Sequence, residues 1–284
     1  MDNRLFINLK PGPTFLDRLT GKTKVRLFFV LILLLIATWD IRLIAPLFVL
    51  SIIGLVSIRP NPKKMTVTLV IILIMNLFNL LLMFLVEPDY GRGVVGGSNV
   101  IFRFTDFYIV TKETMWYFLV RLMKFMATFI FSLTFIQCIT PSEMAAGLYS
   151  VKVPYKVCTI VSLAFRYIPD ITRDFNNIRI SMQARGLELD AKRVGIGTRL
   201  KQYVLILAPL VISSFDRVGM IANAMDLRGF GKLKKRTYYA EHEDVKGDRI
   251  LAPIILLLLA LFLVIVVCLI FFPPAFQVWC PWIK

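Results

Sequence analysis

Five long apolar stretches constrain what this chain of 284 residues can fold into. Three of them, Met65–Val86, Thr114–Ile139 and Ile250–Phe272, reach the length of about 20 residues that a helix needs to cross a bilayer. Val25–Trp39 and Leu43–Ile58 are shorter and are separated only by a polar turn, which predicts a tight helical hairpin. Because 57% of the residues are hydrophobic and the mean hydropathy is +0.72, we predict an all-α membrane protein with about five transmembrane helices.

The basic residues are distributed unevenly around these stretches, and their distribution predicts the topology. Residues 1–26 carry six Lys or Arg against two acidic residues, residues 138–249 carry 18 against 11, and residues 87–113 carry three against four. Basic residues close to membrane spans mark the cytoplasmic side. We therefore expect a multi-pass protein of the cell membrane with a cytoplasmic N-terminus and an outside C-terminus.

The net charge of +16 also bears on the class of partner. Most of this excess is accounted for by the topology, and the remainder is compatible with attraction to anionic lipids. Outside the predicted spans, no basic stripe alternates with aromatic residues as a nucleic-acid-binding surface would require. We predict contact with the lipid bilayer and no nucleic-acid partner.

The sequence divides into three regions. Residues 1–139 are predicted to form a membrane domain with four spans, residues 140–249 a cytoplasmic or interfacial domain of long amphipathic coupling helices, and residues 250–284 the last span with an outside tail. In the middle region, Thr140-Pro141-Ser142-Glu143 is a capping box with proline at the first helical position. A short helix is therefore expected to begin there and to end at Leu148.

Three further helical segments are expected to follow this short helix. An apolar helix over Tyr155–Tyr167 should break before Pro169, and an amphipathic helix should follow over residues 170–185. A second long helix should then cover about residues 198–228, with a bend at Pro209. Long helices of this kind, next to a membrane, are typical of a segment that transmits motion.

A near-repeat marks the ends of these helices. Ile178–Gly186 and, 43 residues later, Ile221–Gly229 each place an Ile, a small residue, a Met and an Arg at positions i, i+3, i+4 and i+7, which share one helical face. A basic residue followed by glycine is also an ordinary helix C-terminus, but the shared flanking residues exceed what capping requires. We interpret the two ends as equivalent elements that bind two similar sites. Their candidate partner-binding residues are Ala184, Arg185, Gly186, Leu227, Arg228, Gly229, Met182 and Met225.

The sequence contains no arrangement that predicts catalysis, a cofactor or a metal site. The single histidine, His242, lies in a charged segment, and the four cysteines lack the spacing of metal ligands. Gly91–Gly96 fits a dinucleotide-binding pattern by letter but follows a predicted membrane helix rather than a strand. Asp170 and Asp174 form a lone DxxxD without a second acidic cluster. We predict a protein that is not an enzyme.

Two cations lie within the fourth apolar stretch. Arg121 and Lys124 are three residues apart and therefore share a helical face. A charge within a span is costly unless it is paired or hydrated. These side chains could extend to the outer interface, pair with Glu87 or Asp89, or contact a partner subunit, and the sequence leaves these alternatives open.

Six motifs follow one another within residues 140–237. They are Thr140–Leu148, Leu163–Pro169, Met182–Gly186, Ala208–Leu210, Ala224–Phe230 and Arg236-Thr237. In content and order they resemble the transmembrane T component (EcfT, related to the CbiQ proteins) of energy-coupling factor transporters, and the resemblance extends over nearly the whole chain. One departure is Leu227, where that family more often has an alanine before the arginine.

The resemblance implies partners and a role. In that family two coupling helices lie in grooves of two related cytosolic ABC ATPase subunits, which places Arg185 and Arg228 against acidic residues. A separate membrane S component captures a vitamin or a transition-metal ion, and the T component transmits ATP-driven motion to it. The alternative function is a permease subunit of another ABC transporter, which lines the substrate path itself. Such a permease carries a Glu-Ala-Ala coupling loop whose spacing Glu143–Gly147 does not match.

The charge distribution makes the topology testable. A reporter fused after Lys284 should face the outside, and one inserted near Gly195 should face the cytoplasm, because basic segments are retained on the inner side. Reporter activity in intact cells measures both positions. A cytoplasmic C-terminus would mean an additional span, for which Val204–Phe215 is the candidate, although its roughly dozen apolar residues are fewer than a span needs.

Overall fold

The computed structural model describes residues 14–58, 62–88, 90–91, 100–103, 109–187, 195–232, 246–271 and 281. The chain forms two compact units, one made of residues 1–147 with 241–284 and the other of residues 148–240. These units reflect packing and not location relative to a membrane, so the three regions proposed from the sequence stay a prediction.

Helices account for most of the described chain, and the predicted all-α class is confirmed. In chain order they are α1 (Phe15–Arg18), α2 (Gly21–Ala37), α3 (Ile41–Ser57), α4 (Pro62–Val86), α5 (Lys112–Cys138), α6 (Pro141–Ser150), α7 (Tyr155–Ala184), α8 (Ile196–Leu227) and α9 (Lys246–Phe271). Two short strands, β1 (Val100–Arg103) and β2 (Ile109–Thr111), pair antiparallel between α4 and α5. The capping box predicted at the start of α6 is present, since Thr140 and Glu143 bond to each other's backbone N–H.

Four described helices are long and apolar enough to cross a membrane, judged by length and composition. They are Pro62–Val86, Lys112–Cys138, Gly197–Leu227 and Gly247–Phe271. The first two predicted spans form α2 and α3, which have 17 residues each. Their length of about 25 Å is less than the roughly 30 Å of a bilayer core. Gly197–Leu227 is not among the five spans predicted from the sequence, because its apolar segment Val204–Phe215 alone is too short to cross a bilayer. In the structure that helix extends well beyond both ends of this segment.

In the first unit, α5 packs against α2, α3 and α4, and α9 packs against α2. Seven buried side chains form the core between α2, α3, α5 and α9: Leu31, Leu34, Leu35, Leu47, Ala127, Phe131 and Ile265. α4 buries few of its own residues, and most of its surface is apolar and exposed, as at Ile74 and Phe78. Such a surface suits a helix that contacts lipid.

A buried ion pair joins four segments of this unit. The ammonium of Lys24 donates to the carbonyl oxygens of Asp17 and Cys138, at 2.8 and 3.0 Å, and to Oε2 of Glu143 at 3.0 Å. The same carboxylate oxygen accepts from the N–H of Thr140 at 3.1 Å. An ammonium has three protons to donate, so Lys24 has a partner for each of them. The ends of α1 and α5 and the starts of α2 and α6 therefore meet at one charge.

Two glycines let α2 and α6 approach at backbone distance beside this pair. A Cβ atom at Gly21 would lie 2.3 Å from the carbonyl oxygen of Glu143. One at Gly147 would lie 2.3 Å from Cγ2 of Val25. No side chain fits at these distances, so a substitution at either glycine would force α6 away from α2.

The start of α2 is also tied to the start of α9. The N–H and the hydroxyl of Thr20 donate to Oδ1 of Asp248 at 3.2 and 3.1 Å. Asp248 is buried in the first turn of α9, where the helix dipole favours a carboxylate. This contact helps to explain why residues from both ends of the chain form one unit.

Arg121 bonds to residues of α4 and not to Glu87, one of the two acidic partners suggested by the sequence. Its guanidinium donates to Oδ1 of Asn79 at 3.2 Å and to Sδ of Met83. Asp89, the other suggested partner, lies outside the described residues. The guanidinium also lies 5.5 Å from the ring centroid of Phe125, one turn further along α5. These contacts favour a structural role for Arg121 in joining α5 to α4.

Lys124 reaches the C-terminal end of α2. Its ammonium donates to the carbonyl oxygen of Ile36 at 3.0 Å and lies 3.8 Å from the ring centroid of Trp39. The Trp39 ring in turn stacks on Tyr117 at a centroid distance of 5.7 Å. Attraction between a cation and an aromatic face is stronger when both are removed from water. Within the described residues, Lys124 is therefore held by a carbonyl and a ring, which also favours a structural role.

The second unit contains the two long helices α7 and α8, which pack against each other. α7 runs without interruption from Tyr155 to Ala184, so the predicted break before Pro169 is wrong. A proline inside a helix removes one hydrogen bond and costs about 3 kcal/mol, and it can kink a helix without ending it. A helix of 30 residues that packs against a neighbour can absorb this cost. The helix predicted over about residues 198–228 is confirmed as α8, with Pro209 in its interior.

Replacement of Lys24 should destabilise the protein far more than replacement of an exposed cation. Lys24→Met leaves the carboxylate of Glu143 buried without its counter-ion, and breaking a buried pair in this way costs about 3–5 kcal/mol. The control is Arg173→Met, because the Arg173 side chain is 75% exposed in its pair with Asp170. About 0–1 kcal/mol is expected there. Unfolding of the purified proteins in mild detergent measures both effects.

A double variant identifies the cause of the loss. If the unpaired buried charge is responsible, Lys24→Met combined with Glu143→Gln should recover a large part of the stability that Lys24→Met loses. Similar losses in Lys24→Met and Arg173→Met would contradict the prediction.

Candidate functional site

The near-repeat found in the sequence forms the C-terminal ends of α7 and α8. At the end of α7, the N–H of Gly186 donates to the carbonyl of Gln183, and the N–H of Leu187 donates to the carbonyl of Met182, both at 3.0 Å. This pair of bonds defines a Schellman motif, which satisfies carbonyls that a helix end otherwise leaves without partners. We call the end of α7, residues 178–187, tip 1.

The end of α8 repeats these bonds at equivalent positions. The N–H of Gly229 donates to the carbonyl of Asp226, and the N–H of Phe230 donates to the carbonyl of Met225, both at 2.9 Å. We call residues 221–230 tip 2. The sequence repeat is therefore also a repeat of backbone structure.

Each arginine is the C-cap residue of its helix and directly follows the last helical residue. Arg185 has φ −86° and ψ 11°, and Arg228 has φ −82° and ψ 8°. The following glycines have positive φ, +90° at Gly186 and +68° at Gly229. No heavy atom lies within 4 Å of a Cβ built on Gly186, so conformation and not space calls for glycine there. The turn leaves the arginine at the extremity of the helix.

The predicted partner-binding residues differ in exposure. Ala184, Arg185, Gly186, Leu227 and Arg228 are exposed, whereas Met182, Met225 and Gly229 are half-buried. The methionines, together with Ile178 and Ile221 one turn earlier, form the side of each tip that is partly covered. Both guanidinium groups are therefore accessible to another molecule. Partner binding by these residues stays a prediction.

An ion pair joins α7 and α8 at equivalent positions of the repeat. The guanidinium of Arg217 donates to Oδ2 of Asp174, and the two residues are 43 positions apart, the same offset that separates the two tips. Each lies 11 residues before the arginine of its own helix. At 1.5 Å per residue, each tip is about 16 Å from the ion pair along its helix. The two tips are thus arranged equivalently about one contact.

Sequence reasoning missed this contact. Asp170 and Asp174 were interpreted as a lone DxxxD, and the structure gives each of them an arginine partner. Asp170 accepts from Arg173 at 2.9 Å, and Asp174 accepts from Arg217. Extending the near-repeat backwards by four residues, from Ile178 to Asp174 and from Ile221 to Arg217, would have aligned an acid with a base, which is the signal that was available.

A second contact between the long helices involves the last residue of tip 2. The ring of Phe230 lies edge-on to the ring of Tyr155, with 5.6 Å between the centroids. Tyr155 is the first residue of α7, so the chain leaving α8 packs on the start of its partner helix. Edge-on aromatic pairs are worth about 0.5–1.5 kcal/mol beyond the area they bury. This contact holds the residues that follow Gly229 in place.

The fold and these helix ends define an all-α, multi-pass membrane protein with two long helices that end in matched arginine caps. Residues 12–239 match the family model described as CbiQ, cobalt transport protein. Since this match covers most of the chain, the chain belongs to the CbiQ family.

Similar proteins share one name, "Energy-coupling factor transporter transmembrane protein EcfT". The protein from Lactococcus lactis subsp. cremoris (strain MG1363) is 26% identical over 274 residues, which are 91% of this chain and 96% of the relative. The one from Bacillus selenitireducens is 24% identical over 262 residues, 87% of this chain and 91% of the relative. The one from Staphylococcus aureus is 32% identical, but only over 121 residues, 41% of this chain and 44% of the relative.

The ion pair between the long helices should tolerate exchange of its two charges but not reversal of only one. Asp174→Arg places two guanidinium groups against each other, and Arg217→Asp places two carboxylates against each other, so either change should separate α7 from α8 at this point. The double variant Asp174→Arg/Arg217→Asp restores opposite charges and should recover most of the contact. The distance between spin labels at Ser181 and Ala224, which are equivalent positions near the tips, measures the outcome.

In the charge-exchanged protein this distance should return to the wild-type distribution. A distribution that is the same in both single variants and in the wild type would show that the ion pair does not set the spacing of the tips.

Proposed function

We propose that this chain is the energy-coupling T component of an energy-coupling factor transporter, an importer of the ABC type. The observation that carries the proposal is the pair of matched, exposed Arg–Gly helix ends arranged about one ion pair. Membership of the CbiQ family and the shared name of the relatives support it. The cargo is a vitamin or a transition-metal ion, which a separate membrane S component captures.

Arg185 and Arg228 each bind a groove in one of two cytosolic ABC ATPase subunits. A guanidinium presents a planar fork of donors that matches a carboxylate with two parallel hydrogen bonds. Met182 and Met225 add adaptable apolar contact beside the charge. Gly186 and Gly229 turn the chain away immediately after the arginine, so no side chain follows it into the groove. We call the groove that receives one tip its socket.

The two helices transmit motion because they are continuous and joined. Between the ion pair and each arginine, the helix is unbroken for 11 residues. A movement of the ATPase subunits displaces both tips, and the contact of Asp174 with Arg217 passes this displacement from one helix to the other. The chain hydrolyses no ATP itself, since its role is that of a non-catalytic subunit.

The first half of α8 provides an apolar surface that supports membrane contact. Leu200, Val204, Leu207 and Val211 are exposed along it. This surface lies against the bilayer and the S component, while the tips are cytoplasmic. The N-terminus is cytoplasmic and the C-terminus is outside, in agreement with the basic residues of segments 1–26 and 138–249.

Reversal of the two arginine charges tests the proposal. Removal of one partner of a desolvated ion pair costs about 2–5 kcal/mol, and reversal of its sign should cost more. Because the tips belong to one joined body, either tip can hold the complex through effective concentration. Arg185→Glu or Arg228→Glu alone should therefore weaken assembly and reduce uptake severely, and the double variant should release both ATPases. The measurements are co-purification of the ATPases in mild detergent and uptake by cells.

The membrane fold should survive these changes, because both arginines are exposed at helix ends. If the arginines are only helix caps, the double variant Arg185→Ala/Arg228→Ala would lose at most about 2 kcal/mol of stability and would still bring down its ATPases in wild-type amounts. That result would end the proposal for these residues.

A further inference from the structure

The two tips share a backbone but differ in where they carry an exposed apolar side chain. In tip 1 the residue five positions before the arginine is Ile180, which is 64% exposed, and the residue directly before the arginine is Ala184. In tip 2 the equivalent positions hold Asn223 and Leu227, and Leu227 is 90% exposed. The large apolar residue therefore comes first in tip 1 and second in tip 2, so the order of the two residue types is reversed between the tips.

Helix geometry gives the distance between the two positions in each tip. The two positions in each tip are four residues apart, so they lie one above the other on the same face, about 6 Å apart along the helix axis. In both tips the arginine occupies the same position relative to the helix end, because the capping bonds that follow it are the same. We call the exposed apolar residue of each tip its anchor: Ile180 in tip 1 and Leu227 in tip 2. The anchor of tip 1 is thus one helical turn further from its arginine than the anchor of tip 2.

The partly covered side of each tip does not differ in this way. The equivalent pairs Ile178 with Ile221 and Met182 with Met225 have the same residue types and are all half-buried. The reversal therefore falls on positions that another molecule can contact, while the side that faces inward is unchanged. A single socket shape cannot fit both anchors, because an apolar pocket placed for one would face a small or polar residue in the other.

From this comparison we infer that the tips are not interchangeable, and that Ile180 with Ala184 and Asn223 with Leu227 determine which of two non-identical sockets each tip enters. This inference rests on the proposed function, since it specifies how the ATPase partners are told apart. In the socket of tip 1, an apolar pocket lies one helical turn away from the acidic residue that binds the arginine. In the socket of tip 2, the apolar pocket lies directly beside that acid. The effect on affinity is on the order of tenfold for each misplaced anchor, from the apolar area that stays in water.

A photo-crosslinking experiment in the complete complex tests the inference. A benzophenone amino acid is placed at Gln183 in one protein and at Asp226 in another, since these are equivalent, exposed positions. The complex is purified with its own ATPases in mild detergent and irradiated, and mass spectrometry identifies the captured subunit. In the wild-type background, position 183 should capture one kind of ATPase and position 226 the other.

Exchange of the anchors should then reverse the pattern. The half-exchanged protein, Ile180→Asn with Ala184→Leu, has two tips of the second kind and should lose capture at position 183 by about tenfold or more. The fully exchanged protein adds Asn223→Ile with Leu227→Ala. It has the same composition as the wild type, which controls for changes in hydrophobicity, and it should capture the two ATPases in the reversed order.

The single variant Leu227→Ala provides a milder test, because it removes only an exposed side chain. Capture at position 226 should fall by up to about tenfold, because the intact tip 1 keeps tip 2 at a high effective concentration, while capture at position 183 should stay at the wild-type level. Thermal unfolding of each variant in detergent should be unchanged, since all four anchor positions are exposed.

The possible failures are distinguishable. If both wild-type positions capture the same ATPase, or both capture the two ATPases alike, the inference is overturned and the proposed function stands. The same holds if the half-exchanged protein behaves as the wild type, or if the fully exchanged protein does not recover capture. If neither position captures an ATPase that co-purifies, the proposed function itself fails.

Discussion

The first unit depends on one buried ammonium group. Lys24 bonds to the carbonyls that end α1 and α5 and to the carboxylate that caps α6, so a single charge fixes the place where these segments meet. Burial of a lone ammonium would be prohibitive, but here all three protons have acceptors. The close backbone approach at Gly21 and Gly147 follows from this arrangement. The start of α6, from which the chain leads towards the long helices, is fixed at the same point.

The features that follow local rules could be predicted from the sequence. Apolar length predicted the membrane class, and the capping box from Thr140 to Glu143 predicted the start of α6, because each depends on residues close together in the chain. The tips could be predicted for the same reason, since a Schellman end needs only a glycine after the last helical turn. The backbone of the candidate site was therefore accessible to sequence reasoning, although its binding partners were not.

What could not be predicted depends on contacts between distant residues or on a balance of energies. The pair of Asp174 with Arg217 and the seat of Lys124 on Trp39 each join residues far apart in sequence. The sequence predicted a helix end before Pro169, because proline removes a backbone hydrogen bond. That prediction does not include the packing against a neighbouring helix that offsets the cost. The short α2 and the long α8 show that the number of spans cannot be read from apolar length alone.

The ion pair divides each long helix of the second unit into a short arm and a long arm. From Asp174 the helix runs 11 residues forward to the arginine of tip 1 and 19 residues back to Tyr155, which is about 16 Å on one side and about 28 Å on the other. Both interior prolines, Pro169 and Pro209, lie on the long arms, and neither short arm contains one. The short arms are therefore stiff and the long arms compliant. For a rigid helix pivoting at the ion pair, this ratio of arm lengths would enlarge a displacement at the tip roughly 1.8-fold at the far end, and the interior prolines are the points at which the long arms would bend first.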